Sequence, residues 1–202
     1  MITIMRPGQK DSIHRDRLSP DSQAALAAQA KNYRGCLVLC SDHPRAHKTA
    51  RLLAPDCDIR IRQELIFDQD LESAYGKQLV QSFQEKNFLR FLLTKSTSLA
   101  GLGDFHYEAA VHTMRTLIEE CSLFGRPCVI IAHTGFAEAF LAWAIRESAG
   151  EAEQERFIQA IKGFEFRSLE LYQVVIEESR LIVRYRQGYE PYFAGEYALP
   201  RY

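Results

Sequence analysis

VLCSDHPRAHKTARLL, residues Val38–Leu53, joins the end of an apolar run to the start of a helix-like segment. The apolar run, Cys36–Cys40, has no polar interruption, which is typical of a strand buried on both faces of a parallel sheet. Ser41 is a candidate N-cap for a helix that continues through Leu53. A buried strand followed directly by a helix predicts an α/β fold, with Arg45 close to the strand end.

The C-terminal half contains a second segment of the same kind. Pro127–Ala132 is another uninterrupted apolar run, and it leads through the turn His133-Thr134-Gly135 into an apolar helix over Phe136–Arg146. The pattern predicts a second buried parallel strand with a histidine at its carboxyl end.

The N-terminal segment has a related organisation. Met1–Arg6 is short and β-rich, and it runs into the turn Pro7-Gly8. Ser19 is a good N-cap, and Pro20 is tolerated at the first helical position, so a helix is predicted to begin there.

The remaining predicted elements complete one domain over residues 1–202, with a helical insertion at about 64–103. In chain order they are a strand near the sheet edge (Asp58–Arg62), two helices (Leu79–Leu93 and Phe105–Phe124), a short helix (Gln154–Ile161), two hairpin strands (Leu169–Ile176 and Arg180–Arg186) and an irregular aromatic tail beyond Gly188. This order predicts a three-layer α/β/α sandwich with a mostly parallel sheet and a C-terminal antiparallel hairpin.

Composition narrows the classes of function. Apolar residues make up 47% of the chain and the formal net charge is −1, so the protein has material for a core and lacks the basic field of a nucleic-acid-binding domain. No apolar stretch approaches the length of about 18 to 20 residues that a membrane-spanning helix needs, so a cytoplasmic protein is expected. The five cysteines are an odd number, and they are interpreted as reduced core residues rather than disulfides or metal ligands.

Polar residues follow each predicted parallel strand. In open α/β sheets, ligands bind outside the carboxyl ends of the strands, so these side chains are expected at one rim. They are Arg6 after the first strand, Ser41 and Arg45 after the second, Glu64 and Asp68 after the third, and His133 after the fourth. Two guanidinium groups give charge-assisted hydrogen bonds and keep their charge, which suits a phosphate, and backbone N–H groups at the helix starts after Ser41 and Gly135 would add to the field.

Four segments, in order, resemble the histidine phosphatases, the superfamily of the phosphoglycerate mutases. They are ITIMRPG at the family's Arg-His-Gly strand end, RLSPDSQAALAAQA at its next helix, VLCSDHPRAHKTARLL at its Ser and Arg-Ala…Thr-Ala helix, and VIIAHTGFAEAFL at its second histidine. The resemblance covers most of Ile2–Leu141 and implies a phosphoglycerate mutase-like fold.

The resemblance also implies roles for individual residues. Arg6 and Arg45 would bind the phosphoryl oxygens, together with Gly8 and Thr134. His133 would be the second histidine, which hydrogen-bonds the phosphoryl group in the transition state. Glu64 best matches the proton donor, with Asp68 as a weaker rival. No metal or other cofactor is expected. Although His43 and His47 have the i,i+4 spacing of a helical metal site, no third ligand is evident.

Pro7 departs from the family pattern, because it stands where the family has its nucleophilic histidine. Proline has no nucleophilic side chain and no backbone N–H, so covalent catalysis in the family manner should be lost. The favoured hypothesis is a protein that binds phosphate, a phosphorylated small molecule or a phosphoprotein without turning it over.

Two other hypotheses stay open. In one, an active phosphomonoester or phosphohistidine phosphatase uses His14 or water as the nucleophile. In the other, the pocket is vestigial and the domain is an interaction or structural module. The aromatic tail is expected to pack on the core or to cover a homodimer interface.

Overall fold

The computed structural model describes residues 1–8, 17–65, 74–85, 88–95, 107–133, 135–161, 172–187 and 190–200. Seven α-helices lie within these residues: α1 (Pro20–Gln29), α2 (Pro44–Leu53), α3 (Ala74–Gln84), α4 (Phe88–Lys95), α5 (Tyr107–Leu123), α6 (Phe136–Ala149) and α7 (Glu151–Ile161). Seven strands lie there too: β1 (Ile2–Met5), β2 (Leu37–Cys40), β3 (Asp58–Ile61), β4 (Cys128–Ile131), β5 (Tyr172–Glu177), β6 (Arg180–Gln187) and β7 (Glu190–Ala198). Short 3-10 helices cover Ala30–Tyr33 and Gln63–Leu65.

The strands form a single sheet in the order β3-β2-β4-β1-β5-β6-β7. The first four of these are mutually parallel, with β4 paired to β2 on one side and to β1 on the other. The last three join as an antiparallel meander through β1–β5 pairing. The expected α/β class with a mostly parallel sheet is confirmed, and β3 lies at the edge, as predicted.

Alternation along the parallel strands divides the core into two layers. On one face Ile4, Leu39 and Ile130 belong to a cluster built with α5, α6 and α7. On the other face Val38 and Ile131 belong to a second cluster built with α1 and α2. Successive side chains of a strand point to opposite faces, so a four-residue apolar strand supplies both layers at once. Helices therefore cover both faces, which confirms the three-layer sandwich.

The tail beyond Gly188 was predicted to be irregular, and that prediction is wrong. Residues Glu190–Ala198 form β7, which pairs with β6 and extends the predicted hairpin to three strands. Proline and glycine within EPYFAGEYA obscure the strand pattern, but β7 is an edge strand, where a missing backbone N–H is tolerated. Phe193 and Tyr197 are buried in the core, and Phe193 packs edge-on against Phe157 of α7.

Two further predictions concern helices. The single helix predicted over Leu79–Leu93 is instead described as two helices, α3, which ends at Gln84, and α4, which begins at Phe88. The predicted helix at Ser19-Pro20 is confirmed, since the Ser19 hydroxyl accepts a hydrogen bond from the Ser22 amide at 3.2 Å. No helix among the described residues has both the length and the apolar character to cross a membrane.

Candidate phosphate-binding site

Strand order brings the predicted polar residues together. Because β4 lies between β1 and β2 and all three are parallel, their carboxyl ends meet at one edge of the sheet. Arg6 follows β1, Ser41 follows β2 and His133 follows β4 after a single alanine. The sequence predicted the strand ends; the central position of β4 comes from the fold.

Helix α2 adds Arg45 to this edge. Its N-cap is His43, whose ring Nδ1 accepts a hydrogen bond from the Arg45 backbone N–H at 3.2 Å. The prediction of Ser41 as N-cap is therefore wrong, and the Ser41 side chain is engaged elsewhere. Arg45 extends toward the turn after β1, where its Nη1 donates a long hydrogen bond of 3.5 Å to the Gly8 carbonyl.

His133 is held by contacts from the β2–α2 connection. Its Nε2 and the Ser41 hydroxyl, which is fully buried, are joined by a hydrogen bond of 2.8 Å. The ring of His43 packs edge-on against the ring of His133, with 5.0 Å between centroids. Ser41 therefore orients the ring, in the way that a third group orients a catalytic histidine.

Burial and three neighbouring groups determine the charge of His133. Burial is the largest cause, and together with the nearby His43, Arg45 and Arg6 it lowers the pKa of His133 to about 4. Desolvation disfavours the charged imidazolium, and nearby positive charges do the same. At neutral pH the ring is therefore a neutral hydrogen-bonding group beside two permanent cations.

Glu138 lies at the base of the same region and was missed by the sequence analysis. Its side chain is completely buried, and its Oε2 accepts a hydrogen bond from the Gly135 amide at 2.8 Å. Its other oxygen, Oε1, has no hydrogen-bond partner among the described residues. Burial raises the pKa of Glu138, while the nearby positive charge of Arg6 opposes that rise. This hydrogen bond is one half of a capping box, and because glycine has no side chain to form the other half, the sequence carries only a weak signal for it.

Two backbone amides near the strand ends are already used. Gly8 donates its N–H to the Thr49 hydroxyl at 2.9 Å, and Thr49 in turn donates to the Arg45 carbonyl at 2.7 Å. Gly135 donates its N–H to Glu138. These two N–H groups therefore fasten the turns to α2 and α6, and the positive field rests mainly on the guanidinium groups.

The other predicted positions divide into two groups. Pro7 is buried directly after Arg6, and Glu64 is exposed in the 3-10 helix that follows β3. The roles of Glu64 and Gly8 stay predictions. Three residues named above, His14, Asp68 and Thr134, lie outside the described residues.

The i,i+4 histidine pair His43 and His47 lies at the start of α2. The described part of the chain holds no group of three or more His, Cys, Asp or Glu side chains with the geometry of a metal site. The ring nitrogens of the predicted histidine pair have other contacts, because His43 Nδ1 caps α2 and His47 Nε2 accepts from Arg51 at 3.4 Å.

Comparison with known proteins finds solved structures that share the fold. No family model and no curated protein matches the sequence. Among solved structures, the α-ribazole phosphatase of Shigella flexneri has 18% identity and a TM-score of 0.55, covering 98% of this chain and 95% of that one. A mycobacterial glucosyl-3-phosphoglycerate phosphatase in complex with VO3 has 18% identity and a TM-score of 0.55, covering 88% and 91%. A phosphoserine phosphatase of Entamoeba histolytica in complex with 3-phosphoglyceric acid has 11% identity and a TM-score of 0.54, covering 99% and 97%.

These likenesses span nearly the whole of each chain. They confirm the fold that the resemblance to histidine phosphatases implied. Because the identities are only 11% to 18%, these likenesses show the fold and not the activity of this chain.

Proposed function

We propose that this protein binds the phosphate group of a phosphorylated small molecule at the carboxyl edge of its sheet and is impaired in hydrolysing it. One observation carries the proposal: Arg6, Arg45 and His133 are close enough that both arginines depress the histidine pKa, yet the residue after Arg6 is proline. A dianionic phosphoryl group would neutralise the two guanidinium charges.

The chemistry of the site and the names of the similar structures both favour a phosphorylated small molecule as the ligand. Two arginines and a neutral histidine offer only donors or one ring acceptor, which suits phosphoryl oxygens better than a neutral ligand. The named relatives act on phosphorylated metabolites: phosphoserine, glucosyl-3-phosphoglycerate and α-ribazole phosphate compounds. A small phosphorylated metabolite is therefore favoured over a phosphoprotein.

The loss of turnover is argued from Pro7. A histidine at this position would attack phosphorus and carry the phosphoryl group as a covalent intermediate, and proline has no group that does this. The scaffold accommodates proline easily, because it follows a strand and biases Arg6 toward extended backbone. In the proposed function, the site keeps the ability to bind phosphate and has lost the ability to attack phosphorus.

Thermal unfolding with added phosphate tests the proposal. At a phosphate concentration of about ten times Kd, ligand linkage stabilises the fold by about 1.4 kcal/mol, which raises Tm by roughly 3 to 5 °C. Arg45→Ala should abolish the shift. Arg51→Ala, an exposed arginine on the same helix, is the matched control and should retain it. Equal shifts in all three proteins would show that phosphate acts nonspecifically, and no shift at high millimolar phosphate would contradict the proposal.

An active phosphatase is the second candidate, and one observation favours it. His133 is neutral and is held by Ser41 beside two arginines, an arrangement that stabilises phosphoryl charge without a covalent step. Purified protein would then turn over an aryl phosphate, and His133→Ala would remove that turnover. Turnover that persists in His133→Ala would come from a contaminating phosphatase and would count against this candidate.

A further inference from the structure

Cys36 and Cys57 form a close pair of thiols at the amino edge of the sheet. They directly precede Leu37 and Asp58, which are partners in the parallel register of β2 and β3. Their sulfur atoms are 3.5 Å apart, and each thiol also lies 3.0 Å from the Tyr33 carbonyl oxygen. The pair therefore faces one side of two neighbouring strands.

The backbone geometry suits a covalent link. Neighbouring strands lie about 4.7 to 4.9 Å apart, and disulfides join residues whose Cα atoms are about 4.4 to 6.8 Å apart. A disulfide has an S–S length of about 2.0 Å, so the sulfur atoms must approach by about 1.5 Å. Rotation of two side chains supplies such a movement. The register and the sulfur positions thus give two separate indications of the same link.

We propose that Cys36 and Cys57 are an oxidation site that closes reversibly to a disulfide when the protein meets a peroxide. This proposal does not depend on the phosphate pocket. The two cysteines precede β2 and β3, whereas Arg6, Arg45 and His133 follow the opposite strand ends.

The order of events follows from access and acidity. Cys57 is half-buried, whereas only 1% of Cys36 is exposed. Burial, reinforced by the hydrogen bond to Cys57, raises the pKa of Cys36 to about 12. Peroxide therefore reaches the Cys57 thiol first, and the buried Cys36 acts as the resolving thiol.

The chemistry balances with one peroxide per disulfide. The Cys57 sulfur attacks one peroxide oxygen, the O–O bond breaks, and a sulfenic acid and one water result. The Cys36 sulfur then attacks the Cys57 sulfur and displaces hydroxide, which takes up the Cys36 proton as a second water. Two thiols lose two electrons and two protons, and hydrogen peroxide is reduced to two waters.

A second pair of cysteines in the same protein supplies an internal control. Cys121 and Cys128 are both almost fully buried, and burial together with their mutual interaction raises the pKa of Cys121. The Cys128 thiol is directed at backbone carbonyls, those of Arg126 at 3.4 Å and of Cys121 at 3.6 Å. Neither thiol has the partial exposure of Cys57, so peroxide should oxidise this pair far more slowly.

The test is peptide mapping of the folded full-length protein after hydrogen peroxide treatment and alkylation of the remaining thiols. The expected product is a Cys36–Cys57-linked peptide that disappears on reduction with dithiothreitol. The link closes a loop of 20 intervening residues around α2, which should raise Tm by about 5 °C or more in the oxidised protein.

Two variants separate the pair from its surroundings. In Cys36→Ser the reaction should stop at a Cys57 sulfenic acid that dimedone labels, and in Cys121→Ser the Cys36–Cys57 link should form as in the parent. The proposal is overturned if oxidised Cys57 is found as sulfinic acid with Cys36 still alkylated, or if Cys121–Cys128 is the first disulfide. Both outcomes are independent of phosphate binding.

Discussion

The turn after β1 and the turn after β4 lie side by side, and both pass through glycine. After β1 come Arg6, Pro7 and Gly8, and the Gly8 amide is fastened to Thr49 of α2. After β4 comes His133, and the Gly135 amide is fastened to Glu138 of α6. In its described part, residues 6–8, the first turn carries a permanent charge and no nucleophilic side chain. The second turn carries the imidazole of His133, which is neutral at pH 7 because its pKa is lowered.

The two turns differ in which step of a phosphatase reaction their side chains could serve: binding of the phosphate or nucleophilic attack on phosphorus. Under the proposed function, the positive charge that attracts a phosphate comes from Arg6 and Arg45, and both arginines also help to lower the pKa of His133. By the resemblance to the histidine phosphatases, the covalent nucleophile belongs in the turn after β1, at the position that Pro7 occupies. Under the proposed function, Pro7 accounts for the missing nucleophile, and the rest of the site is predicted to be competent.

Replacing Pro7 by histidine should have the largest effect. If the other groups are in place, Pro7→His should increase aryl phosphate hydrolysis by on the order of a hundredfold or more, because it restores nucleophilic catalysis. The double variant Pro7→His/His133→Ala is the control and should return to the parent rate. A Pro7→His protein that is folded, binds phosphate and stays inactive would show that the turn after β1 lacks more than a nucleophile.

The positions of the site residues were easier to predict from the sequence than the strands at the edge of the sheet. The positions of Arg6, Arg45 and His133 near one edge of the sheet were predictable, because short apolar runs typical of buried strands precede them. Arg6 and His133 lie at the ends of such runs, and Arg45 lies one helical turn beyond another. The edge strand β7 was not predictable, since Pro191 and Gly195 interrupt its pattern and only pairing with β6 makes it a strand. Local signals identify strand ends, whereas an edge strand with proline and glycine in it is recognised only from its backbone pairing with the neighbouring strand.

The side chains that support the site were also beyond reach of the sequence. Ser41 looked like an N-cap because it precedes a helix, but Pro44 delays the helix start and passes that role to His43. Glu138 looked like an ordinary polar residue of an apolar helix. Its burial beside Arg6 depends on how α6 meets the sheet, which no periodicity encodes.

Crowding at Gly8 provides the second prediction. A Cβ at this position would lie 2.5 Å from the Ser22 hydroxyl and 2.9 Å from Leu18 Cδ2. Gly8→Ala should therefore lower the free energy of unfolding by about 2 kcal/mol, measured by urea denaturation. The double variant Gly8→Ala/Ser22→Ala removes the nearest atom and should recover part of the loss. A double variant no more stable than the single one would show that the turn is not held by this packing.

The third prediction concerns His133 in the turn after β4, which should make the stability of the protein depend on pH. Unfolded His133 titrates near 6.5, but folded His133 titrates near 4, so between these values the unfolded chain binds more protons. Stability is therefore lost as pH falls from 7 toward 4. Relative to His133→Gln, the parent protein should lose about 1 to 2 kcal/mol more between pH 7 and pH 5.

Urea denaturation of both proteins at the two pH values measures this difference. Glu138 has a raised pKa, so its contribution to the stability of the protein decreases as pH rises, which is opposite to the effect of His133. It is present in both proteins, so its contribution largely cancels in the comparison. Equal pH dependence of the parent and His133→Gln would mean that the histidine is not desolvated by its neighbours.

The hydrogen bond between Ser41 and His133 should give the smallest effect and the most specific one. Ser41→Ala leaves a buried ring nitrogen without its partner, which costs about 1 kcal/mol of stability. It also frees the ring to rotate, so phosphate should bind a few-fold more weakly even where the protein is fully folded. Ser148→Ala removes a serine hydrogen bond to a backbone carbonyl on α6 and is the matched control. If both variants lose similar stability but only Ser41→Ala weakens phosphate binding, then Ser41 positions the β4 turn for its ligand. If both bind phosphate equally well, the ring is held by the contact with His43 instead.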